Sequence, residues 1–203
     1  MQTTDTKLQS TITAVAQTEK VIDQAVDDIS YIDNKAAELE DRSMRQNLIF
    51  FGFPEEDSET NDDCEKKLTQ LILSKKLLGG NSHVQFDRVH RLGRKNASVN
   101  SGKPPRPRPI VCKLTFYKDK EILLQNGKLL KGCPIRMSEQ YSKVTTDIHS
   151  KLFQACKSAK ESPGSPIDKF FVKYRHAAVY LKNGKRATVN VNTVRDSNWY
   201  KNF

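Results

Sequence analysis

The chain changes character at Asn47-Leu48-Ile49-Phe50-Phe51-Gly52-Phe53-Pro54, a short apolar and aromatic run that ends in glycine and proline. A run of this length bounded by turn residues predicts a β-strand. Before it, residues 1–43 contain no glycine, no proline and a single aromatic residue, Tyr31. After it, strand-like runs alternate with helical patterns. The run therefore separates a helical N-terminal segment from a mixed α/β remainder.

The N-terminal segment repeats every seven residues. The first row of the repeat is Leu8, Val15, Ile22, Ile29, Ala36 and Ser43, and the second is Thr11, Thr18, Ala25, Ile32 and Leu39. Apolar a and d rows predict a coiled coil, and isoleucine in both rows favours three or four strands over two. An amphipathic helix packed on its own domain is the alternative. The residues expected to mediate self-association are Leu8, Val15, Ile22, Ile29, Ile32 and Leu39.

Six elements are expected between residues 45 and 138. The predicted strands are 47–54, 84–92, 109–116 and 134–137, and the predicted helices are 61–78 and 117–130. The order βαββαβ predicts a four-stranded antiparallel sheet with two helices on one face, a ferredoxin-like arrangement in an α+β fold. RNA-recognition domains bind their ligand on the other face of such a sheet.

The last 65 residues predict a small α+β module. A helical pattern covers 142–160, and two strand-like runs follow at 170–174 and 177–181, with a turn at Asn183-Gly184. The expected domains are therefore a coiled coil at 1–44, an RNA-recognition-like domain at 45–138 and a C-terminal module at 139–203.

Charge is distributed unevenly along the 203 residues, whose net charge is +10. Residues 1–44 carry four basic and nine acidic groups, which leaves 30 basic and 15 acidic groups, a net charge of +15, for the remainder. Residues 88–120 alone hold ten basic groups against one acid, Asp119. An arginine-rich loop between two strands, which includes Arg94 and Arg106, is suited to contact a phosphate backbone. The acidic run at 55–65 is interpreted as a solvated loop.

Four motifs carry a resemblance to a known family. They are Arg45-Gln46-Asn47-Leu48-Ile49-Phe50-Phe51-Gly52-Phe53-Pro54-Glu55, Arg88-Val89-His90-Arg91-Leu92-Gly93, Pro107-Arg108-Pro109-Ile110-Val111-Cys112-Lys113-Leu114 and Lys131-Gly132-Cys133-Pro134-Ile135-Arg136. With the heptads, they resemble the first-open-reading-frame protein of LINE-type (non-LTR) retrotransposons. The resemblance covers about the whole chain and is firmest over 45–138. It implies a coiled coil, a non-standard RNA-recognition domain and a small C-terminal domain, in a trimeric, chaperone-like protein that coats the RNA of the element.

The resemblance also implies where nucleic acid would bind. The positions at or near the RNA groove are Arg45, Asn47, Arg91, Arg108, Lys113 and Arg136. The C-terminal module would form the other wall of this basic cleft, with contacts from Lys173, Tyr174, Arg175, Lys185 and Arg186. For Tyr174, base stacking and packing within the hairpin remain alternatives. Ile49 stands where the family often has arginine. The third strand lacks the usual base-stacking aromatics, which gives arginine more weight.

The sequence predicts no enzyme. The four histidines lie outside any catalytic motif, so we expect no catalytic residue and no cofactor. The four cysteines form no C-x-x-C pair, which predicts the absence of a metal site and favours a reducing compartment. No membrane span is expected. The expected partners are single-stranded RNA, with DNA as a second possibility, and two further copies in a homotrimer. The expected localisation is cytoplasmic ribonucleoprotein particles, with the nucleus as the alternative. The competing hypothesis is an acidic coiled-coil scaffold whose basic domain binds acidic proteins.

Overall fold

The heptad segment forms one helix, α1 (Gln2–Ser43), in the computed structural model, which describes residues 2–80, 83–95 and 106–203. A chain without glycine or proline can continue as a helix over this length. The six side chains expected to mediate self-association are each between 51% and 63% exposed. The predicted long helix is confirmed, and self-association stays a prediction.

Internal contacts divide the chain into two compact units. The central unit is Asp41–Tyr141, and the terminal unit combines the chain up to Glu40 with Ser142–Phe203. Each unit has its own antiparallel sheet and its own hydrophobic core. The expected α+β class is therefore confirmed. The domain boundaries predicted after residues 44 and 138 stay predictions.

The central unit contains a four-stranded sheet and two helices. Its elements are β1 (Asn47–Phe51), α2 (Asn61–Ser74), β2 (Phe86–Arg91), β3 (Ile110–Leu114), α3 (Tyr117–Gln125) and β4 (Arg136–Glu139). The strand order is β2-β3-β1-β4, and every neighbouring pair is antiparallel. Leu48 and Phe50 of β1 lie in one core with Leu68 of α2 and Leu123 of α3. One face of the sheet is therefore covered by both helices.

Helix α2 is shorter than the predicted 61–78 and ends at Ser74. Lys76 has a left-handed backbone, with φ of 50°, and the Leu77 N–H donates to the carbonyl of Ile72 at 2.9 Å. This change of direction lets Leu77 and Leu78 enter the core without helical geometry. Hydrophobic periodicity predicts that these leucines are buried, but it does not distinguish a turn from a further helical turn.

The terminal unit contains α4 (Lys143–Glu161), β5 (Ile167–Lys173), β6 (His176–Leu181) and β7 (Arg186–Val189) in addition to the first forty residues. The strands pair in the order β5-β6-β7, so the predicted hairpin has a third strand that the sequence did not indicate. Cys156 and Ala159 of α4 pack on one face of this sheet, and the core is closed by Trp199 and Tyr200.

Candidate nucleic-acid interface

The candidate interface of the central unit is the sheet face opposite its helices. Side chains alternate along a strand, so Asn47, Ile49 and Phe51 point away from the core that holds Leu48 and Phe50. Strand pairing determines which side chains share this surface, called here the central face. Its members are Asn47, Ile49, Phe51, Arg88, His90, Val111, Lys113, Arg136 and Ser138. Three of these side chains are cations and none is acidic.

Phe51 and Arg136 lie side by side on the central face. They are directly paired across β1 and β4, and the guanidinium carbon of Arg136 lies 5.9 Å from the centre of the Phe51 ring. Phe50 is fully buried, whereas Phe51 is partly exposed. A cation over an aromatic ring is a favourable arrangement, and it keeps both groups at the surface. Alternation along β1 places one of Phe50 and Phe51 on each face of the sheet, and Phe51 is the one on the central face.

Lys113 lies in the same sheet and forms an ion pair with Asp87. Its Nζ is 2.8 Å from the Asp87 carboxylate, which also accepts a hydrogen bond from the Thr115 hydroxyl at 2.9 Å. The hydrogen bond from Lys113 is the main reason that the pKa of Asp87 is lowered. Both charged side chains are partly exposed. A pair of this kind is weak in water, so Lys113 can exchange Asp87 for a phosphate.

Asn47 and Arg45 have different environments at the start of β1. Asn47 is buried, and its amide nitrogen donates to the side-chain oxygen of Gln140 at 2.8 Å. This bond indicates a structural role in which Asn47 joins β1 to the residue after β4. Arg45 has an exposed side chain, while its carbonyl accepts a hydrogen bond from the buried Lys120 ammonium at 2.7 Å. The backbone of Arg45 is therefore anchored, and its guanidinium faces solvent.

The side chain of Arg91 lies away from the central face, and only 6% of it is exposed. Its Nε and Nη2 donate to Glu59 at 2.6 and 3.0 Å. Its Nη1 donates to the carbonyls of Phe53 and Arg108, and Nη2 donates to the carbonyl of Pro54. These bonds occupy all five N–H groups of the guanidinium. The geometry therefore favours a structural role for Arg91, because no donor remains for a phosphate.

Glu59 is the acidic partner in this buried pair. It also accepts a hydrogen bond from Lys67 at 2.5 Å, and only 3% of its side chain is exposed. The hydrogen bond from Arg91 is the largest cause of its lowered pKa, which is about 2 although burial raises it. Burial, followed by the adjacent Glu59, raises the pKa of the Cys64 thiol to about 11. Cys64 is therefore a buried thiol, not a reactive thiolate.

Arg108 is held by the same acidic segment. Its Nε and Nη2 donate to one carboxylate oxygen of Glu55 at 2.8 and 2.6 Å, and its backbone N–H donates to the other oxygen at 3.0 Å. Its Nη1 donates to the carbonyl of Gly93. The pKa of Glu55 is lowered, chiefly by the Arg108 side chain. The interpretation of this acidic run as a solvated loop therefore misses two ordered ion pairs, Glu55–Arg108 and Glu59–Arg91.

The remaining predicted contacts of the basic loop lie at its described ends. Arg94 and Arg106 are both exposed. Between them, residues 96–105, with the basic Lys103, lie outside the described residues. The neighbouring Lys95 pairs with Asp57 at 3.0 Å. Four arginines in or next to this loop were expected to bind phosphate. Arg94 and Arg106 are exposed, whereas Arg91 and Arg108 pair with carboxylates.

In the terminal unit, the predicted contacts divide in the same way. Tyr174 and Arg175 form the tight turn between β5 and β6, and Tyr174 has a left-handed backbone with φ of 54°. Arg175 donates to the Thr145 hydroxyl at 2.8 Å and to the Asn34 side-chain oxygen at 3.3 Å. It therefore links the turn to α4 and α1.

Lys173 and Arg186 are exposed and lie on the sheet face that α4 leaves uncovered, called here the outer face. Sequence reasoning missed three further side chains there, Lys169, Phe171 and Tyr180. The available signal was the alternation in Lys169-Phe170-Phe171-Val172-Lys173, in which every second residue points the same way. The paired arrangement with β6 and β7 could not be anticipated because β7 was not predicted.

The chain matches no protein-family model and no curated protein sequence. Within 2–80, 83–95 and 106–203, no three histidine, cysteine or acidic side chains are grouped as metal ligands. In the same part of the chain, no helix combines the length and the apolar character required to cross a membrane.

Proposed function

We propose that this chain is a non-enzymatic protein that binds single-stranded nucleic acid, above all RNA. The observation that carries the proposal is the central face, where the partly exposed Phe51 ring lies beside Arg136. The same face also carries the cations Arg88 and Lys113, of which Lys113 pairs with Asp87. An aromatic ring can stack on a base, and the cations can neutralise phosphates. A duplex hides the faces of its bases, so this combination favours a single strand.

The proposal includes a ferredoxin-like arrangement for the central unit. It is supported by the βαββαβ order of the elements, by the strand order β2-β3-β1-β4 and by the common core that α2 and α3 form with the sheet. In RNA-recognition domains with this arrangement, the ligand lies on the sheet face opposite the helices. The central face is that surface here.

The resemblance to LINE-type first-open-reading-frame proteins suggests what the bound RNA is for and how the chain assembles. We propose that the chain packages RNA as a homotrimer in ribonucleoprotein particles of the cytoplasm. The exposed apolar stripe of α1 supports association with further copies. Association would raise a modest affinity per subunit through effective concentration. A cleft formed with the C-terminal module stays a prediction.

The proposal is tested by changing the central face in the full-length chain. Phe51→Ala should weaken binding of a twenty-nucleotide oligouridine by roughly 5- to 150-fold, the range of one lost base stack. Arg136→Gln should lower the slope of log affinity against log salt by about 0.7, because it removes one phosphate contact. The matched controls are Phe116→Ala and Lys66→Gln, which change an exposed phenylalanine and an exposed cation outside the central face. Wild-type affinity in both Phe51→Ala and Arg136→Gln would contradict the proposal.

One observation favours the alternative, in which the basic part binds acidic proteins. Three of the predicted phosphate contacts, Arg91, Arg108 and Lys113, already pair with carboxylates of this chain. A pull-down from lysate separates the two functions, since nuclease treatment removes partners held through RNA and leaves directly bound acidic proteins. We favour nucleic acid because carboxylate binding gives no role to the partly exposed ring of Phe51.

A further inference from the structure

The outer face of the terminal sheet carries a second set of aromatic and basic side chains. Across the strands, Lys169, Tyr180 and Arg186 lie in one row, Phe171, Ala178 and Thr188 in the next, and Lys173 and His176 in a third. These eight residues define the outer face. Three of them are cations and none is acidic. Residues of both signs are usually mixed on a protein surface, so a face of one sign favours an anionic partner.

The opposite face of this sheet is already occupied. Val179 and Val189 are buried in the core with Cys156 of α4. The ring of Phe170 also points to this side, where it packs against Phe153 of α4 at 5.5 Å between ring centres. The fold of the terminal unit therefore needs the inner face of the sheet. The side chains of the outer face point away from α4 and do not pack against it.

Phe171 is the most exposed apolar residue of the outer face, with 59% of its surface accessible. Its ring lies 5.9 Å from the Tyr180 ring at an angle of 87°. The Lys169 ammonium is 5.2 Å and the Arg186 guanidinium carbon 5.7 Å from the centre of the Tyr180 ring. Two aromatic rings are thus held in place by each other and by cations, which limits the side-chain entropy lost on binding.

We propose that the outer face is a second binding surface for single-stranded nucleic acid, in which a base stacks on Phe171 and phosphates pair with Lys169, Lys173 and Arg186. The ligand class rests on the proposed function, whereas the residues of this site differ from those of the central face. Charge alone would also suit an acidic peptide. The exposed ring decides between the two, because every base has a π-face that stacks on an aromatic side chain, and acidic side chains have none.

In this proposal the base stacks on Phe171 and not on Tyr174, for which the sequence analysis gave base stacking as one of two alternatives. Tyr174 lies in the turn between β5 and β6 and is partly buried. The guanidinium carbon of the adjacent Arg175 lies 5.6 Å from its ring. Phe171 is three residues earlier on β5, within a paired strand, and its position is therefore fixed by the sheet. A rigid strand holds a stacking ring more accurately than a turn does.

The test measures binding by the full-length chain to two ligands of equal length and charge. One is a twenty-nucleotide oligouridine, and the other is the same backbone without bases. Phe171→Ala should weaken oligouridine binding by roughly 5- to 150-fold and leave binding of the abasic backbone unchanged. Phe153→Ala is the matched control, because this phenylalanine is 50% exposed in the same unit and lies on the helix side of the sheet. Thermal unfolding of each variant checks that the fold is retained.

The results separate this inference from the proposed function. Loss of base-dependent affinity in Phe171→Ala and its retention in Phe153→Ala support the outer face as a stacking surface. If Phe171→Ala binds oligouridine like the wild type while Phe51→Ala does not, the inference is wrong and the proposed function stands. If the wild type binds neither ligand, both are wrong. Equal losses for oligouridine and the abasic backbone in Phe171→Ala would also overturn stacking on this ring.

Discussion

Arg91 shows how the partners of one residue determine its role. The same side chain would be a phosphate ligand at the surface, yet here all five N–H groups bind Glu59 and three backbone carbonyls. Arg91→Ala should therefore lower the free energy of unfolding by about 3 kcal/mol, since it leaves the buried Glu59 with Lys67 as its remaining cation. Urea denaturation measures this change. Arg88→Ala, an exposed arginine on the same strand, is the control and should cost less than about 0.5 kcal/mol.

Glu59 should also make stability depend on pH. Its pKa is about 2 in the folded chain, whereas in the unfolded chain it lies near the ordinary value of 4.5 for a glutamate. Because the folded pKa is the lower one, the unfolded chain binds the proton more readily as pH falls. The stabilisation by Glu59 is complete above pH 4.5 and is lost between pH 4.5 and 2. Urea denaturation across this range should show a shallower decline in Glu59→Gln, and an unchanged decline would refute the assignment.

The residue scale is where the sequence was least informative. Strand alternation predicts that Phe50 and Phe51 point to opposite faces, but two identical side chains give no basis for choosing the core one. The choice follows from the register, which pairs Phe51 with Arg136. The pairing of Arg91 with Glu59 was equally inaccessible, because 32 residues separate them and local patterns carry no information about such distant contacts. Opposite charge in the two segments was the one available signal.

At the scale of elements, the end of the β1–β4 pairing depends on Gly52. This residue has φ of +93°, and a Cβ atom there would lie 2.4 Å from the carbonyl oxygen of Pro134. Gly52→Ala should therefore combine backbone strain with a clash against the main chain and lower the free energy of unfolding by more than about 3 kcal/mol. Gly79→Ala is the matched control. It also has a positive φ, +67°, with no atom within 4 Å of the added Cβ, so strain alone applies.

Chemical denaturation of the two glycine variants gives the comparison. Similar stabilities in Gly52→Ala and Gly79→Ala would show that the close approach of β1 to Pro134 is unimportant. A larger loss in Gly52→Ala would establish that this contact limits the end of β1. The central face would then change with it, because Phe51 directly precedes Gly52.

Most elements could be predicted from the sequence, and the exceptions have physical causes. The long helix follows from five heptads without a helix breaker. β7 was missed because Arg186-Ala187-Thr188-Val189 is short and half polar, and it becomes a strand through pairing with β6. The residues after Ser74 were expected to be helical because buried leucines have the same spacing in a turn as in a helix. For the leucines after Ser74, the local pattern thus predicted burial correctly but gave the wrong backbone conformation.

At the scale of the whole molecule, α1 should make the chain a homotrimer. The six large apolar a and d side chains of its heptads, which include Ile29 and Ile32, are more than half exposed in a single copy. Ile29→Asp combined with Ile32→Asp should yield monomers, because each helix would bury two charges in the apolar interface of the coiled coil. Sedimentation equilibrium measures the mass. The control adds two aspartates at heptad positions outside the seam, Gln17→Asp and Ser30→Asp, and should remain trimeric. A monomeric wild type would contradict the prediction.

The proposed binding of single strands is tested most directly by a salt series on the full-length chain. The measurement is fluorescence anisotropy with a twenty-nucleotide oligouridine, a duplex of the same length and polyglutamate. We predict tightest binding to oligouridine, with a slope of log affinity against log salt of about −0.7 for each neutralised phosphate. Affinity for oligouridine that does not change with salt, or polyglutamate bound as tightly as oligouridine, would contradict the proposed function.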